Sequence, residues 1–343
     1  MTPSKPKAVL ISDIHFSLAN LDPACHALNA ALVKAADLKV PLVVAGDLTD
    51  GKANLRGEVV NALVDFFSAD SPKRSYVLVG NHDRINEKAA EHSLNFLRPY
   101  VDLVDTQDSI EDITFFSYFN DLNCLETQLS KVTTPLVIMH QGIQGANMGH
   151  YVQDKSSLPP SAFGKARFIS GHYHKKQDIL LPGGGTFSYL GSPYTMNFGE
   201  ANDGPKGFHI LYEDLSLELV PLIGIRRHIV VERTVDTMGL PIEGLRSIDR
   251  LWLKVTGPSS QLVKVDKMLL GAYHLGHNNF KLDLIPDKTV AIPGIVTPIA
   301  TKLTEAEMLD TMILDLKETD DHKSLLRQLW RASSNETPSR TLY

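Results

Sequence analysis

Five short apolar runs, each stopped by a turn rich in histidine, aspartate or asparagine, constrain this chain more than any other feature. Residues 7–12 (KAVLIS) stop at Asp13 and residues 41–45 (PLVVA) at Gly46-Asp47. Residues 75–79 (SYVLV) stop at Gly80-Asn81, 135–139 (PLVIM) at His140, and 166–170 (ARFIS) at Gly171-His172. Each run is apolar on both faces, the pattern of a strand buried within a sheet. Helical stretches fit between them. One runs from Asp22-Pro23, a good cap and first-turn pair, to about Asp37; others cover 55–69 and 121–131. The expected class is α/β. In such folds, sites form beyond the C-terminal ends of strands. Turns far apart in sequence are therefore expected to meet at one sheet edge.

From about Gly183 the pattern becomes β-rich, over 186–190, 207–212 and 215–221. This reads as a returning antiparallel segment that completes a two-sheet core, with Gly183-Gly184-Gly185 as a hairpin turn. Beyond Arg226 a small α/β module is expected, with strands at 227–233, 251–256 and 279–285 and a helix at 259–273. The organisation read from these changes is a core over 1–225, a small capping domain over 226–286, and a proline-bearing linker over 287–302. Two amphipathic helices follow over 303–332, then a loose tail over 333–343. The first helix opens with a capping box, Thr304-Glu305-Ala306-Glu307. The second carries Leu325, Leu326, Leu329 and Trp330. Their stripes suit either the protein's own core or docking to another protein.

Composition narrows the classes. Among 343 residues, 34 Lys and Arg stand against 40 Asp and Glu, a net charge of −6. This is not the basic chain that would hold DNA by charge alone. Only two cysteines occur, Cys25 and Cys124, both expected in the core. They exclude a disulfide framework and a thiolate zinc site. No apolar run reaches the ~18 residues of a membrane span, and the N-terminus does not read as a signal peptide. A cytoplasmic setting without membrane contact is the expectation.

The strand-end turns hold Asp13-Ile14-His15, Gly46-Asp47-Leu48-Thr49-Asp50, Gly80-Asn81-His82-Asp83, His140 and Gly171-His172-Tyr173-His174. Carboxylate oxygen combined with imidazole and no thiolate suits Mn²⁺, Fe²⁺ or Zn²⁺. The donors exceed what one ion needs. Two ions ~3.5–4 Å apart would use them and form the clamp employed in phosphoester hydrolysis. The glycines before Asp47, Asn81 and His172 are read as allowing tight turns that aim side chains inward. Each piece alone arises by chance; order, spacing and placement agree only when taken together. His26, His92, His150, His209, His228, His274, His277 and His322 fit no motif and read as surface or structural.

The set DIH…GDLTD…GNHD…H…GHYH, over about residues 8–175, resembles the signature of the calcineurin-like metallophosphoesterase superfamily. The segment SGHYHKKQDI…YLGSPYTMNFGE, with Gly207-Phe208 after it, is similar to SbcD/Mre-type DNA nuclease subunits, T-even phage recombination endonuclease subunits among them. The resemblance implies a four-layer α/β/β/α core with a small α/β cap and C-terminal helices. It implies two divalent cations, manganese foremost, with Mg, Fe or Zn as alternatives. It puts Asp13, His15, Asp47 and His174 on one ion, and Asp47, Asn81, His140 and His172 on the other. A water activated between the ions would be the nucleophile. His82 would contact the phosphate and protonate the leaving oxygen, and Asp50 would hold His82 charged and oriented. Asp83 is read as structural.

Arg84, Lys175 and Lys176 flank the motifs, as contacts to DNA phosphates or as ordinary solvated charge. Phe16-Ser17-Leu18 stands where the nuclease pattern has a glycine, and Thr49 where it has an aromatic. Both departures leave the ligands intact and bear on the shape of the substrate channel. The implied activity is a DNA exonuclease and endonuclease in recombination and end processing. The implied partners are DNA, a second copy of the chain, and an SbcC-type SMC-like ATPase docked on the terminal helices. The alternative is a metallophosphatase or phosphodiesterase acting on nucleotides or phosphomonoesters.

Overall fold

The computed structural model describes residues 4–69, 74–86, 91–149, 152–267, 270, 274 and 279–287. By its contacts the chain divides into Met1–Asp287 and Lys288–Tyr343. The linker beyond Asp287, the two helices, the tail, and His150, His277 and His322 lie outside the described residues.

The apolar runs form strands, and they are divided between the two sheets of the expected two-sheet core. The first sheet takes β1 (Pro6–Ile11), β2 (Leu42–Val44), β3 (Tyr76–Leu78) and β4 (Asp102–Val104) in parallel. The second takes β5 (Gln107–Ile110), β6 (Ile113–Phe116), β7 (Leu136–His140), β10 (Arg167–Gly171), β11 (Gln177–Leu180) and β12 (Thr186–Tyr189). Its order is β11-β12-β10-β7-β6-β5, with only the two edge strands antiparallel to their neighbours. A two-stranded ribbon, β8 (Asn147–Gly149) and β9 (Val152–Gln153), follows β7. The chain then returns to the first sheet through β13 (Gly207–Tyr212) and β14 (Leu217–Pro221), both antiparallel, giving the order β14-β13-β1-β2-β3-β4. The triple glycine does close the β11–β12 hairpin, where Gly184 N–H donates to the Leu181 carbonyl at 2.9 Å.

Three apolar layers explain why these runs carry no polar face. Ala8, Leu10, Val43, Ala45 and Leu78 of the first sheet meet Phe115, Leu136, Ile138 and Ile169 of the second. The outer face of the first sheet, with Val9, Ile11, Val44 and Val77, packs on α1 (Leu21–Leu38) and α2 (Gly57–Ser68). Small residues on α1 (Ala24, Ala27, Ala31 and Ala35) let its backbone lie close to the strands. On α2, Val59, Leu63 and Phe67 recur at helical spacing on the buried side. The outer face of the second sheet packs on α3 (Leu122–Leu129) and on Phe163 and Leu158 of the connecting loops. The architecture is mixed α/β with two large sheets, and most of its helix lies on one side.

Some local readings shift. Asp22 lies inside the first turn of α1, because a short 3₁₀ turn, Leu18–Asn20, precedes it and Asn20 takes the cap position. Cys25 is half-buried, but Cys124 is on the exposed side of α3 and not in the core. The expected 259–273 helix is interrupted: α4 (Ser259–Leu262) is followed by a turn at Val263 and Lys264. A third sheet joins β15 (His228–Thr234), β16 (Arg250–Gly257) and β17 (Phe280–Pro286) in parallel. Alternation on β16 is strict. Leu251, Leu253 and Val255 are buried with Leu262 of α4, while Trp252 and Lys254 take the other face. Among the described residues no helix is long and apolar enough to cross a membrane.

Candidate metal centre

The parallel strands of both sheets end at a common edge, and the five turns meet there. Pairing continues past the strands. Asp13 N–H donates to the Gly46 carbonyl (3.1 Å), His15 N–H to Asp47 (3.1 Å) and Phe16 N–H to Leu48 (2.9 Å). These bonds set the first turn in register with the second and bring Asp50 beside His15. Ile14, Phe16 and Leu48 are buried in the helix-side core and anchor both turns.

The sequence reading assigned the glycines to turn formation; the structure gives them a larger role in making room. A Cβ on Gly46 would lie 2.2 Å from His140 Nδ1, one on Gly80 2.1 Å from Asp47 Oδ1, and one on Gly171 2.3 Å from the Ala45 carbonyl. Only Gly46 of these three also has a positive φ, +88°. The left-handed backbone falls instead on non-glycine residues that carry the chemistry: Asp13, His15, Asp47 and His172, with φ from 50° to 92°. Such conformations persist only where the surroundings over-determine them.

Two groups of donors converge. Asp13, His15 and His174 form one, and Asp47, His140 and His172 the other. In the first, His15 Nε2 is 3.1 Å from His174 Nε2 and 3.7 Å from Asp47 Oδ2. In the second, His140 Nε2 is 3.3 Å from Asp47 Oδ2, and the Asn81 side-chain oxygen is 3.0 Å from His140 Nε2 and 2.9 Å from His172 Nδ1. Ligands at ~2.1 Å from one ion and at right angles lie about 3.0 Å apart. Four of these five spacings, 2.9 to 3.3 Å, are close to that, and Asp47 Oδ2 lies between the groups, 3.3 Å from His140 Nε2 and 3.7 Å from His15 Nε2.

Charge gives an independent test of fit. Asp13 and Asp47 are 0% and 1% exposed. Among the described residues neither has a Lys or Arg ion-pair partner. A buried carboxylate without a counter-charge is costly, and a divalent cation supplies one. In its absence protons do so. Burial opposes charging His15, but its bond to Asp50 and the charges of Asp47 and Asp13 prevail and raise it to about 9. Burial likewise opposes charging His140, and Asp47 raises it to about 9. His172 goes the other way, pushed down to about 4 by burial and by neighbouring His140. Burial also opposes ionising Asp47, yet His140 and His15 hold it far below the usual carboxylate range. Cations entering here would displace protons from imidazole. The residues present fit a pair of divalent ions.

His82 and Asp50 adjoin this cluster. His82 N–H donates to Asp47 Oδ1 at 2.8 Å, and His82 Nδ1 lies 3.0 Å from Asp50 Oδ1. That same Asp50 oxygen is 3.3 Å from His15 Nδ1. Asp50 thus spans the acid candidate and a candidate ligand, and the adjacent His15 and His82 imidazoles depress its carboxyl strongly. Asp83 is fully buried and ties two turns together, accepting from Gly80 N–H (2.9 Å), Thr49 N–H (2.8 Å) and the Thr49 hydroxyl (2.9 Å). Thr49, the departure from the nuclease pattern, is therefore part of the scaffold. Arg84 is half-buried, donates to the Tyr118 carbonyl and lies over the Tyr118 ring at 5.7 Å. Lys175 is half-buried and Lys176 exposed, immediately after His174.

Three contributors were not singled out from the sequence. The Ala45 carbonyl lies 2.8 Å from His140 Nδ1. The Tyr118 ring is 6.3 Å from His140 and 5.7 Å from His172. The buried Glu200 carboxylate is 2.8 Å from His174 Nδ1. Of these, only Glu200 left a trace, as a lone acid in the apolar segment YLGSPYTMNFGE.

Residues 6–176 match the family model for calcineurin-like phosphoesterases. The chain belongs to the calcineurin-like metallophosphoesterase superfamily. A dimetal phosphatase from Danio rerio aligns with 61% of this chain and 93% of its own, at 13% identity and a TM-score of 0.36, a likeness too low to bear on substrate. No curated protein matches the sequence significantly.

Proposed function

We propose that this protein is a two-metal, manganese-dependent DNA exonuclease and endonuclease, the nuclease subunit of an SbcCD-like recombination and end-processing complex. The observation that carries the hydrolytic part is the His82–Asp50 pair set against two groups of candidate cation ligands with Asp47 Oδ2 between them. Asp13, His15, Asp47 and His174 would hold one ion, and Asp47, Asn81, His140 and His172 the other. A bound pair supplies charge neutralisation at the phosphate and an acidified water. The chain supplies the rest. Asp50 engages His82 Nδ1, which leaves Nε2 to hand a proton to the leaving oxygen. The His82 side chain is 37% exposed, open enough to meet a substrate. Asp83 and the paired turns keep His82 and Asp47 in fixed relation.

The nuclease part is supported by the segment that carries the subfamily resemblance. Ser192, through its N–H to the His174 carbonyl (3.1 Å), and Glu200, at His174 Nδ1, both hold His174, so the segment adjoins the centre. The separate third sheet adds a face where Lys281 and Lys254 lie 3.6 Å and 4.8 Å from the Trp252 ring, a combination suited to nucleic acid. Homodimerisation and an ATPase docked on residues 303–332 complete the reading.

The test compares linear double-stranded DNA with p-nitrophenyl phosphate in Mn²⁺, with and without a coiled-coil ATPase retained by residues 303–332. Cleavage of DNA that is lost on chelation is expected. Turnover of the monoester with none on DNA would overturn the nuclease reading in favour of a phosphatase.

A further inference from the structure

Glu200 is outside both ligand groups, yet it is built into the centre with unusual completeness. It is 7% exposed. Its Oε1 accepts from His174 Nδ1 at 2.8 Å and from the Asn197 amide at 3.4 Å. Its Oε2 accepts from Met196 N–H (3.1 Å), the Ser192 hydroxyl (3.2 Å) and Lys206 Nζ (3.1 Å). Lys206 is itself fixed, donating also to the His174 carbonyl and the Ser192 hydroxyl, each at 2.8 Å. An ionised carboxylate only accepts hydrogen bonds. The His174 nitrogen facing it must therefore carry the ring proton. In the neutral ring, the form that binds a cation, that leaves Nε2 bare, and Nε2 is the atom that meets His15 Nε2.

The turn that bears Glu200 is held from its other side. The 3₁₀ turn Phe198–Glu200 is capped by the Asn197 side chain, which accepts from Gly199 N–H at 2.7 Å. The Phe198 ring packs edge-on against His228 (4.9 Å) and Trp252 (5.7 Å) of the third sheet. His228 N–H donates to the Thr195 hydroxyl at 2.8 Å. Glu200 is thus clamped between the third sheet and the ligand it touches.

We infer that Glu200 is a positioning residue for the metal centre: it fixes His174 in the Nδ1–H tautomer and so presents Nε2 to the cation shared with Asp13 and His15. The inference rests on the two-metal reading above. Outer partners of this kind typically contribute 10–100-fold to metal affinity.

The experiment is a Mn²⁺ titration of the full chain by calorimetry, alongside long-range proton–nitrogen spectra of the metal-free protein. Wild type is expected to bind two ions. Glu200→Ala is expected to weaken one of them about 10–100-fold and leave the other within about threefold. In metal-free wild type the His174 proton should reside on Nδ1, the signal being assigned by its loss in His174→Gln; in Glu200→Ala it should redistribute toward Nε2. Two unchanged ions in Glu200→Ala, equal weakening of both, or a wild-type proton on Nε2 would each overturn the inference. Failure of wild type to bind any Mn²⁺ would instead overturn the two-metal reading, and the spectra need no metal.

Discussion

Gly80→Ala tests how tightly the centre is built. A Cβ there would lie 2.1 Å from Asp47 Oδ1 and 2.3 Å from Asp47 N, where real contacts begin near 3.0 Å. The overlap is about 0.9 Å, and it falls on groups that cannot swing away. One is backbone; the other is a carboxylate 1% exposed on a residue already at φ 50°. Asp47 or the turn around Gly80 must shift by about that distance, breaking the 2.8 Å bond from His82 N–H. Overpacking costs ~1–3 kcal/mol. A lost hydrogen bond to a charged acceptor costs ~1.5–3 kcal/mol, and the two overlap because one movement causes both. A 1 Å misplacement of reacting groups costs on the order of 100-fold in rate. The expected result is therefore a fall of roughly 100-fold in kcat/KM on a phosphodiester, weaker Mn²⁺ binding by calorimetry, and a modestly lower Tm. Gly57→Ala is the control. Among the described residues nothing lies within 4 Å of a Cβ at Gly57, so it should be neutral or stabilising by ~0.4–1 kcal/mol. Rates and metal affinity within threefold of wild type for Gly80→Ala would refute the crowding described here.

His82→Ala should retain both metal ions by calorimetry and lose about 10²–10⁴-fold in turnover; unchanged rates would remove His82 from the chemistry. Asp249 is fully buried and accepts from Arg227 Nη2 (2.6 Å) and Arg246 Nη2 (2.8 Å), so Asp249→Ala should cost about 3 kcal/mol, the low end because both guanidinium groups are partly open to water. Burial opposes ionising Asp249, but Arg227 and Arg246 hold it at about 2; its contribution is present above the unfolded value near 3.9, and the Tm gap between wild type and variant should close as pH falls from about 4 to 2. His209 is 1% exposed, and among the described residues neither ring nitrogen has a hydrogen-bond partner, so His209→Leu should raise stability by about 1–2 kcal/mol in urea denaturation. Burial pushes His209 down to about 4; the unfolded chain takes up the proton first on acidification, so the variant's advantage should widen from pH 6.5 to pH 4, and a flat difference would be the wrong outcome.

The core and the meeting of the strand-end turns were legible because continuous apolar runs stopped by polar turns carry them. Runs such as LVV at 42–44 and LVIM at 136–139 are apolar throughout, since each lies between two packed layers. Their abrupt polar ends mark where burial stops and chemistry starts. The strands at 102–116 were not legible. Gln107–Ile110 forms an exposed edge hairpin with the strand after it, and its side chains carry little apolar signal. The division of the runs between two sheets was hidden as well, because a strand's neighbours follow from long-range packing. Glu200 escaped for a related reason. An acid reads as surface unless the donors around it are known, and those donors, Ser192, Met196, His174 and Lys206, assemble only on folding.

The spacing of the candidate ligand pairs has a mechanical cause in the two-sheet design. Asp13 and His15 flank Ile14, which is 0% exposed and packs in the helix-side core of the first sheet. His172 and His174 flank Tyr173, which is buried in the outer core of the second sheet and donates to Asp154 at 2.7 Å. In each case the middle residue is an anchor driven into one outer core, and the residues on either side are turned toward the space where the sheets meet. Turning them so sharply places Asp13, His15 and His172 in left-handed backbone, at a cost of ~1–3 kcal/mol each. The structure offsets that cost locally: Asp13 accepts from His172 N–H at 3.0 Å, which locks one anchored pair to the other across the sheet boundary. Asp-x-His and His-x-His are thus the same device used twice, once per sheet. The residue in the middle is chosen by the hydrophobic core, while the strain it imposes falls on the donors beside it.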